Sequence, residues 1–405
     1  MFSFDPASPN ALRHPLYLQW TVGFAIGSTG LWLARLALGY VVWELTQSPF
    51  LTGMTAFLIL ALPGILGPFI GVWVENLNPK SVIMVAQVNN LLIYLVLALI
   101  AFLDTQSAIP YLIASGATGL LVAYWQPARL VMPTVLVPQH ALASAVAVNS
   151  TLFNSARIIG PALAAWIIAF GSLPLAFLAG FALYLVFFIS VLFLPTQWTP
   201  PERAAGGYFE RFSSGLQEIR RHRLVILALA AVTFSGFFGR SIVELMPAIN
   251  GALVSNSSAQ TLGYLTSAAG AGAITIGMAL AARRGSAQTM LGLLFFGGIF
   301  GGAAVLLMAF VTSIWLLLPV AYVSGAAGSL TVIGSQASIL QTAPIAFRAR
   351  IMAVWGAVAI GGMGLGGLVG GGLASMIGLS STLIVFGGVG MVGSGLLWIG
   401  ARQRN

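Results

Sequence analysis

Three arginines stand in stretches otherwise built of apolar residues: Arg35, Arg157 and Arg240. A guanidinium offers five N–H donors in a planar fork and stays charged at physiological pH. In an apolar setting it must be met by a carboxylate, by the carbonyls of a helix end, or by an anionic or oxygen-rich ligand. Glu244 follows Arg240 by four residues, so on an α-helix the two share a face and can pair. Such a pair can be purely structural. Its carboxyl can also carry a proton, if desolvation raises its affinity and a movable arginine lowers it again. Glu44, at the end of the first apolar stretch, is a second candidate proton carrier.

Uncharged polar and aromatic residues in the same stretches complete the set: Gln87, Asn89, Asn90, Asn149, Asn154, Gln336 and Gln341, with Tyr94, Tyr124, Trp125 and Trp355. Asn149 and Asn154 share a stretch with Arg157. Hydrogen bonds between helices account for many such residues without any ligand; beside Arg35 and Arg157 they could also line a substrate cavity. Trp20, Trp43, Trp198 and Trp315 fall near the ends of apolar stretches and read as interface-belt residues. His14, His140 and His222 are far apart and there is no Cys, so neither a metal site nor thiol chemistry is expected. The run GMGLGG at Gly362–Gly367 contains G-x-G-x-x-G but follows no strand, which removes the context a dinucleotide site needs. Close helix packing explains it instead, with Gly366/Gly370 and Gly367/Gly371 at small-x-x-x-small spacing.

The elements that must position these residues follow from composition. Of 405 residues, 6% are charged and 59% hydrophobic. A soluble domain carries roughly 25% charged residues, so soluble, disordered and coiled-coil chains are excluded. Twelve apolar segments fall at about residues 16–43, 50–74, 81–103, 108–125, 142–170, 175–194, 224–249, 261–282, 288–311, 314–340, 351–377 and 382–400. Each is long enough to cross a bilayer core, which takes about 20 helical residues. None alternates like barrel strands, so all are expected to be helices. The fold class is thus an all-α polytopic membrane protein of twelve transmembrane helices, in two pseudo-symmetric six-helix bundles.

Charge sets the topology. Fourteen of 17 Lys and Arg residues fall in the loops on the side of the N-terminus: Arg13, Lys80, Arg129, Arg203, Arg211, Arg220, Arg221, Arg223, Arg283, Arg284, Arg348, Arg350, Arg402 and Arg404. The other three are Arg35, Arg157 and Arg240, inside the segments. The positive-inside rule then puts both termini in the cytoplasm. The +9 net charge reports this orientation rather than nucleic-acid binding, for which no soluble basic domain exists. The N-terminus has no charged n-region or cleavable pattern, so no signal peptide is expected.

Halves echo each other. Gly71 and Gly277 are 206 residues apart, as are Pro138 and Pro344. The reading is an N-terminal bundle (residues 1–194), a cytoplasmic linker (195–223) in which Tyr208–Arg223 could form an amphipathic surface helix, and a C-terminal bundle (224–405). Parallel six-helix repeats are the build of one large class of secondary transporter.

The chain resembles the major facilitator superfamily, and within it the bacterial exporter branch of enterobactin exporter-like and macrolide efflux-like proteins. The matching stretches are WELTQSPFLTG (Trp43–Gly53), LPGILGPFIGVWVENLNPK (Leu62–Lys80), PARLVMPTVLVPQHALASAVAVNSTLFNSARIIGPALAAW (Pro127–Trp166) and LQTAPIAFRARIMAVWGAV (Leu340–Val358). The family's G-x-x-x-D-R-x-G-R-R latch keeps Gly71, but Glu75 replaces its aspartate, Asn76 its arginine, and Lys80 alone remains of the basic end. The resemblance therefore implies a weakened latch. Its antiporter motif in span five is matched by small residues, with Gly160 and Pro161 retained and alanines at most other glycine positions. The resemblance implies alternating access around a central cavity and export by exchange.

On this reading the substrate site comprises Arg35, Arg157, Asn149, Asn154, Asn89, Asn90, Tyr124, Gln336 and Trp355. Proton coupling falls to Glu244, Arg240 and Glu44; the gating motifs supply Gly71, Glu75, Lys80, Gly160 and Pro161. The cargo is a small amphipathic, anionic or oxygen-rich molecule, siderophore-like or drug-like, exchanged for protons across the bacterial inner membrane. No ATP-binding loop, cofactor or metal is expected; the lipid bilayer is the surroundings and the chain acts as a monomer. Metabolite uptake or facilitated diffusion, and a transport-incompetent membrane sensor or complex subunit, stay open as alternatives.

Overall fold

Apolar runs of this length satisfy their backbone only by internal hydrogen bonding, which makes them helices. The computed structural model describes residues 8–74, 77–194, 217–281, 286–344 and 347–402, and every regular element among them is helical. In chain order these are α1 (Pro15–Thr46), α2 (Pro49–Ala56), a π-helical stretch (Phe57–Ala61), α3 (Leu62–Val74), α4 (Pro79–Phe102), α5 (Ile109–Leu136), α6 (Leu142–Phe170) and α7 (Leu173–Leu192). The second half continues with α8 (Arg223–Phe238), a 3-10 stretch (Arg240–Leu245), α9 (Met246–Leu253), α10 (Ala259–Ala281), α11 (Ala287–Met308), α12 (Ile314–Thr342), α13 (Arg348–Ile377) and α14 (Leu379–Arg402). Among the described residues eleven helices are long and apolar enough to cross a membrane. The fourth expected segment forms the 28-residue α5, so all twelve segments are helical.

Local chemistry sets the starts. Ser48, Asn78, Ser172 and Ser286 each accept a hydrogen bond from a backbone N–H two or three residues on, capping α2, α4, α7 and α11. In the first three, proline at the first or second helical position costs no hydrogen bond. Gly378, at φ 85°, ends α13 in a conformation that side chains resist. Faces such as Leu92, Leu95, Val96, Leu99 and Phe102 on α4 are exposed, as lipid-facing surfaces must be.

Two compact units result: Met1–Leu38 with Leu66–Ala204, and Gly39–Ile65 with Ala205–Asn405. The first is packed around Tyr17, Trp20, Phe24, Ile83, Trp125 and Phe187. Its N-terminal segment is tied down where the Ala11 N–H donates to Ser144 Oγ at 3.1 Å. The second unit includes the end of α1, all of α2 and the π-helical stretch, packed with the C-terminal spans. There α13 uses two glycine faces. Gly371 meets the Pro49 carbonyl, while a Cβ on Gly367 would lie 3.3 Å from the Ala56 Cβ and one on Gly364 2.7 Å from the Ala61 nitrogen. On the other face Gly366 meets the Phe237 carbonyl and Gly370 meets Phe386. The small-x-x-x-small reading of these glycines thus holds.

Three sequence readings need correction. Arg129 is not a loop cation: α5 runs eleven residues past Trp125, through Pro127 and Pro133, and carries Arg129 inside it. Prolines are tolerated there because neighbouring helices re-satisfy the backbone. Trp20 is fully buried rather than in an interface belt, stacked on Phe24 at 5.6 Å and edge-on to Phe187 at 5.4 Å. Trp43 is likewise buried, its indole against Gly251. Arg240–Leu245 is 3-10 rather than α, so the spacing that would put Arg240 and Glu244 on one α-helical face does not apply. Glu75, Asn76, Trp198, Arg203, Arg211, Arg283, Arg284, Arg404 and most of Tyr208–Arg223 lie outside the described residues; residues 217–221 are helical.

Candidate substrate and coupling sites

In the first unit, α1, α5 and α6 bring arginines and aromatic rings into one row. The Arg129 guanidinium carbon lies 4.4 Å from the Phe153 ring centre, 5.4 Å from Phe24 and 5.8 Å from Trp125. The Phe153 ring meets Trp32 edge-on at 5.7 Å. Arg35 sits 4.6 Å over that same Trp32 ring, and Arg157 is 6.0 Å from it. Arg35 and Arg157 thus share one ring. Cation–π attraction offsets part of the repulsion among three like charges on this face.

Packing fixes the row. Gly160, three residues after Arg157, allows α6 to touch α1: a Cβ there would be 2.6 Å from the Trp32 Cβ and 2.8 Å from the Leu33 nitrogen and the Thr29 carbonyl. Pro161 follows inside the helix. A larger residue at 160 would push Arg157 and Phe153 off Trp32. Among the described residues of this unit, Asp104 is the one carboxylate, and it is exposed in the loop after α4. The site is therefore rich in cations and poor in anions.

The other expected residues divide. Asn149 accepts from the Tyr17 hydroxyl at 3.1 Å, and that hydroxyl also donates to the Ala145 carbonyl at 2.7 Å. Asn154 and Asn89 are exposed and donate to carbonyls one turn back on their own helices, Ser150 at 2.8 Å and Val85 at 2.8 Å. Asn90 and Gln87 are buried, with side-chain atoms that find no partner among the described residues. Tyr124 lies beside Trp73 at 6.1 Å. Lys80 donates to the Leu192 and Leu194 carbonyls at 2.9 and 2.6 Å, which caps the end of α7. Gly71 lies within α3.

The second unit gathers the carboxylates. Glu244, Arg240 and Ser241 are buried in the 3-10 stretch, and the Ser241 hydroxyl donates to the Phe237 carbonyl. A Cβ on Gly367 would be 3.4 Å from the Glu244 Cβ, and one on Gly328 3.7 Å from Arg240 Cγ, so glycines on α13 and α12 make room for both side chains. Glu44 is exposed in the last turn of α1. Trp355 donates to Ser335 Oγ at 2.9 Å, next to the half-buried Gln336. Unlike the first unit, this one places a buried carboxyl and a guanidinium in the same broken helix.

Comparison with known proteins decides the family. A family model described as transmembrane secretion effector, the MFS_3 family, matches residues 7–404. The chain belongs to that family. It is a major facilitator transporter, a polytopic membrane protein rather than an enzyme by the nature of its family. The uncharacterized MFS-type transporter YfiS of Bacillus subtilis (strain 168) is 27% identical over 379 residues, covering 89% of this chain and 87% of the relative. A crystal structure of a mutant of the nucleoside transporter NupG aligns over 95% of this chain and 99% of its own, with a TM-score of 0.71 at 13% identity. A bacterial homologue of the human lysosomal transporter Spinster, inward-facing and unoccupied, covers 95% of each chain with a TM-score of 0.69 at 15% identity. At these identities the solved structures establish the shared fold alone.

In this transporter sequence reasoning missed Arg129, Phe153, Trp32 and Phe24. Arg129 was hidden because Pro127 and Pro133 mark a helix end in a soluble chain but not in a membrane span. The aromatics were hidden because rings at helical spacing read as core. The signal available was the repeated juxtaposition of ring and arginine: Trp32 with Arg35, Phe153 with Arg157, Trp125 with Arg129.

Proposed function

We propose that this transporter exports a small amphipathic anion across the bacterial inner membrane in exchange for protons. Residues 1–194 and 224–405 would act as two halves joined by the linker 195–223, with both termini cytoplasmic and the monomer as the working unit. Export is supported by the secretion-effector description of the family. The anionic character of the cargo is supported by one observation above all: the cluster of Arg35, Arg129 and Arg157 on aromatic faces, in a unit whose one described carboxylate is in a loop. Proton exchange is supported by Glu244, a carboxyl buried beside Gly367 in the broken seventh span.

Alternating access would then work as competition. An anion entering the arginine row neutralises it, and a proton on Glu244 removes a negative charge from the broken seventh span. In inverted membrane vesicles with an imposed pH gradient, the protein is expected to accumulate an anionic cargo; Arg157→Ala and Glu244→Gln are expected to weaken that accumulation. Flux that follows the solute gradient alone would replace exchange with facilitated diffusion. No flux under any gradient would replace transport with sensing.

A further inference from the structure

The row of rings and arginines in the first unit says more about its ligand than charge. Several unpartnered buried polar atoms of this unit are donors, alongside the Gln87 Oε1 acceptor and the Thr21 and Ser28 hydroxyls. Arg129 itself is half-buried, and its Nε is buried with no hydrogen-bond partner among the described residues. The indole N–H groups of Trp20, Trp32 and Trp125 are in the same condition, in side chains at least nine-tenths buried. Indole is a donor only, as is guanidinium. Leaving four such donors unmatched is costly in an apolar interior. At Trp20 and Trp125 the indole N–H adds a donor that the core packing itself does not use.

The rings form a connected path. Trp20 stacks on Phe24, Phe24 lies parallel to Phe153 at 6.3 Å, and Phe153 meets Trp32. Arg129 borders this path beside Phe24, Phe153 and Trp125, while Arg35 and Arg157 border it beside Trp32. Phe24 and Trp32 are eight residues apart on α1, about 12 Å along its axis, so cations flank the path at two levels. The buried side chains of Gln87 and Asn90 lie on α4 next to Ala86, which joins the same core as Trp20, Phe24 and Trp125.

We infer that this row binds a planar aromatic anion, a carboxylate or phenolate, with Arg129 as a ligand of its charged group and the half-buried Phe153, 4.4 Å from that guanidinium, as the surface for its ring, while the buried Phe24 and Trp32 back Phe153 as packed core. This rests on the anion-transport reading and narrows it to a chemical class. An aliphatic anion would use the arginines and forgo the rings; a neutral aromatic would do the reverse. The combined site selects for both features in one molecule.

Full-length protein in lipid nanodiscs, titrated calorimetrically at one pH with no gradient, tests this with three probes of similar size. Benzoate is expected to bind at least tenfold more tightly than benzyl alcohol, as fits the loss of a charged hydrogen-bond acceptor. It is expected to bind several-fold more tightly than cyclohexanecarboxylate, which keeps the charge and loses the ring. Arg129→Gln should cost benzoate at least tenfold and leave benzyl alcohol unchanged, with Arg129→Lys in between. Phe153→Leu should erase the preference for benzoate over cyclohexanecarboxylate.

Absence of benzoate binding by the wild-type protein would overturn the inference, as would equal binding of benzoate and benzyl alcohol, or wild-type affinity in Arg129→Gln. Should Arg129→Gln fail to fold, the three probes on the wild-type chain and Arg129→Lys decide the matter. Binding measured this way is independent of flux. Benzoate binding without flux in vesicles would overturn transport and leave the site standing; gradient-driven flux of other solutes without benzoate binding would do the opposite.

Discussion

The two units use one packing device for two kinds of chemistry. Gly160 on α6 presses against α1 at Thr29–Leu33, and Gly366 on α13, 206 residues later, presses against α8 at Phe237 and against Ser241 beyond it. In each case a helix-breaking or small-residue motif brings the fifth span of a repeat onto the first. What surrounds the contact differs. Beside Gly160 stand Trp32, Arg35, Phe153 and Arg157; beside Gly366 stand Phe237, Ser241 and, one residue on at Gly367, Glu244. Backbone approach is repeated while side-chain chemistry has diverged. The shared contact is best read as the scaffold, and the differing residues as the function.

The strongest way to break that comparison is at the glycines. Gly160→Val and Gly366→Val should each force apart two helices already in contact, at a cost of about 1–3 kcal/mol. Both variants are expected to lose nearly all flux in vesicles and to unfold at lower temperature in detergent. If one is tolerated and the other is not, the contact is not a common scaffold.

Next in size is the division of labour between charges. Arg157→Gln should raise the half-saturating cargo concentration about tenfold, the effect of removing one charged donor, while keeping flux dependent on the pH gradient. Glu244→Gln should leave cargo affinity within a few-fold and remove the gradient dependence. Initial rates at several cargo concentrations, with and without a gradient, separate the two. A common effect of both substitutions would erase the contrast between an anion-binding unit and a coupling unit.

How far the sequence could foresee this depends on the residue. The twelve segments were legible because 20-residue apolar runs have no other use, and Gly366/Gly370 and Gly367/Gly371 because a glycine pair one helical turn apart has few uses in a membrane. Arg35 and Arg157 were conspicuous as charges among apolar residues. Arg129 escaped, since its segment was closed early at a proline. The break at Arg240–Leu245 escaped too: nothing in RSIVEL distinguishes 3-10 from α spacing. Lys80 was visible as a motif residue, yet its bonds to the carbonyls ending α7 required the fold.

That Lys80 contact gives a smaller test. In the first unit a cation caps the end of the sixth span; Lys80→Met removes two bonds to carbonyls from a partly exposed ammonium. The expected cost is about 1 kcal/mol, read as a modest drop in unfolding temperature with cargo affinity unchanged. A large loss of flux at unchanged stability would instead make Lys80 part of a working latch, despite the replacements at Glu75 and Asn76.

The smallest effects should come from single side chains whose hydrogen bonds tie neighbouring spans within each unit. Tyr17 reaches from α1 to Ala145 and Asn149 on α6, and Trp355 reaches from α13 to Ser335 on α12. Bonds of this sort between membrane helices are worth about 0.6 kcal/mol, because a partner lost in the folded state is often replaced by another. Tyr17→Phe and Trp355→Phe should therefore lower stability only slightly. Their effects on function should still differ. Tyr17→Phe frees Asn149, three residues from Leu152 and eight from Arg157 on the helix that carries the arginine row, so it should alter benzoate affinity by a few-fold. Trp355→Phe should leave benzoate affinity unchanged, since nothing in the second unit is assigned to the aromatic anion. Equal shifts in both variants would mean that the ligand is held by the two units alike, and the contrast between them would no longer describe where the cargo binds.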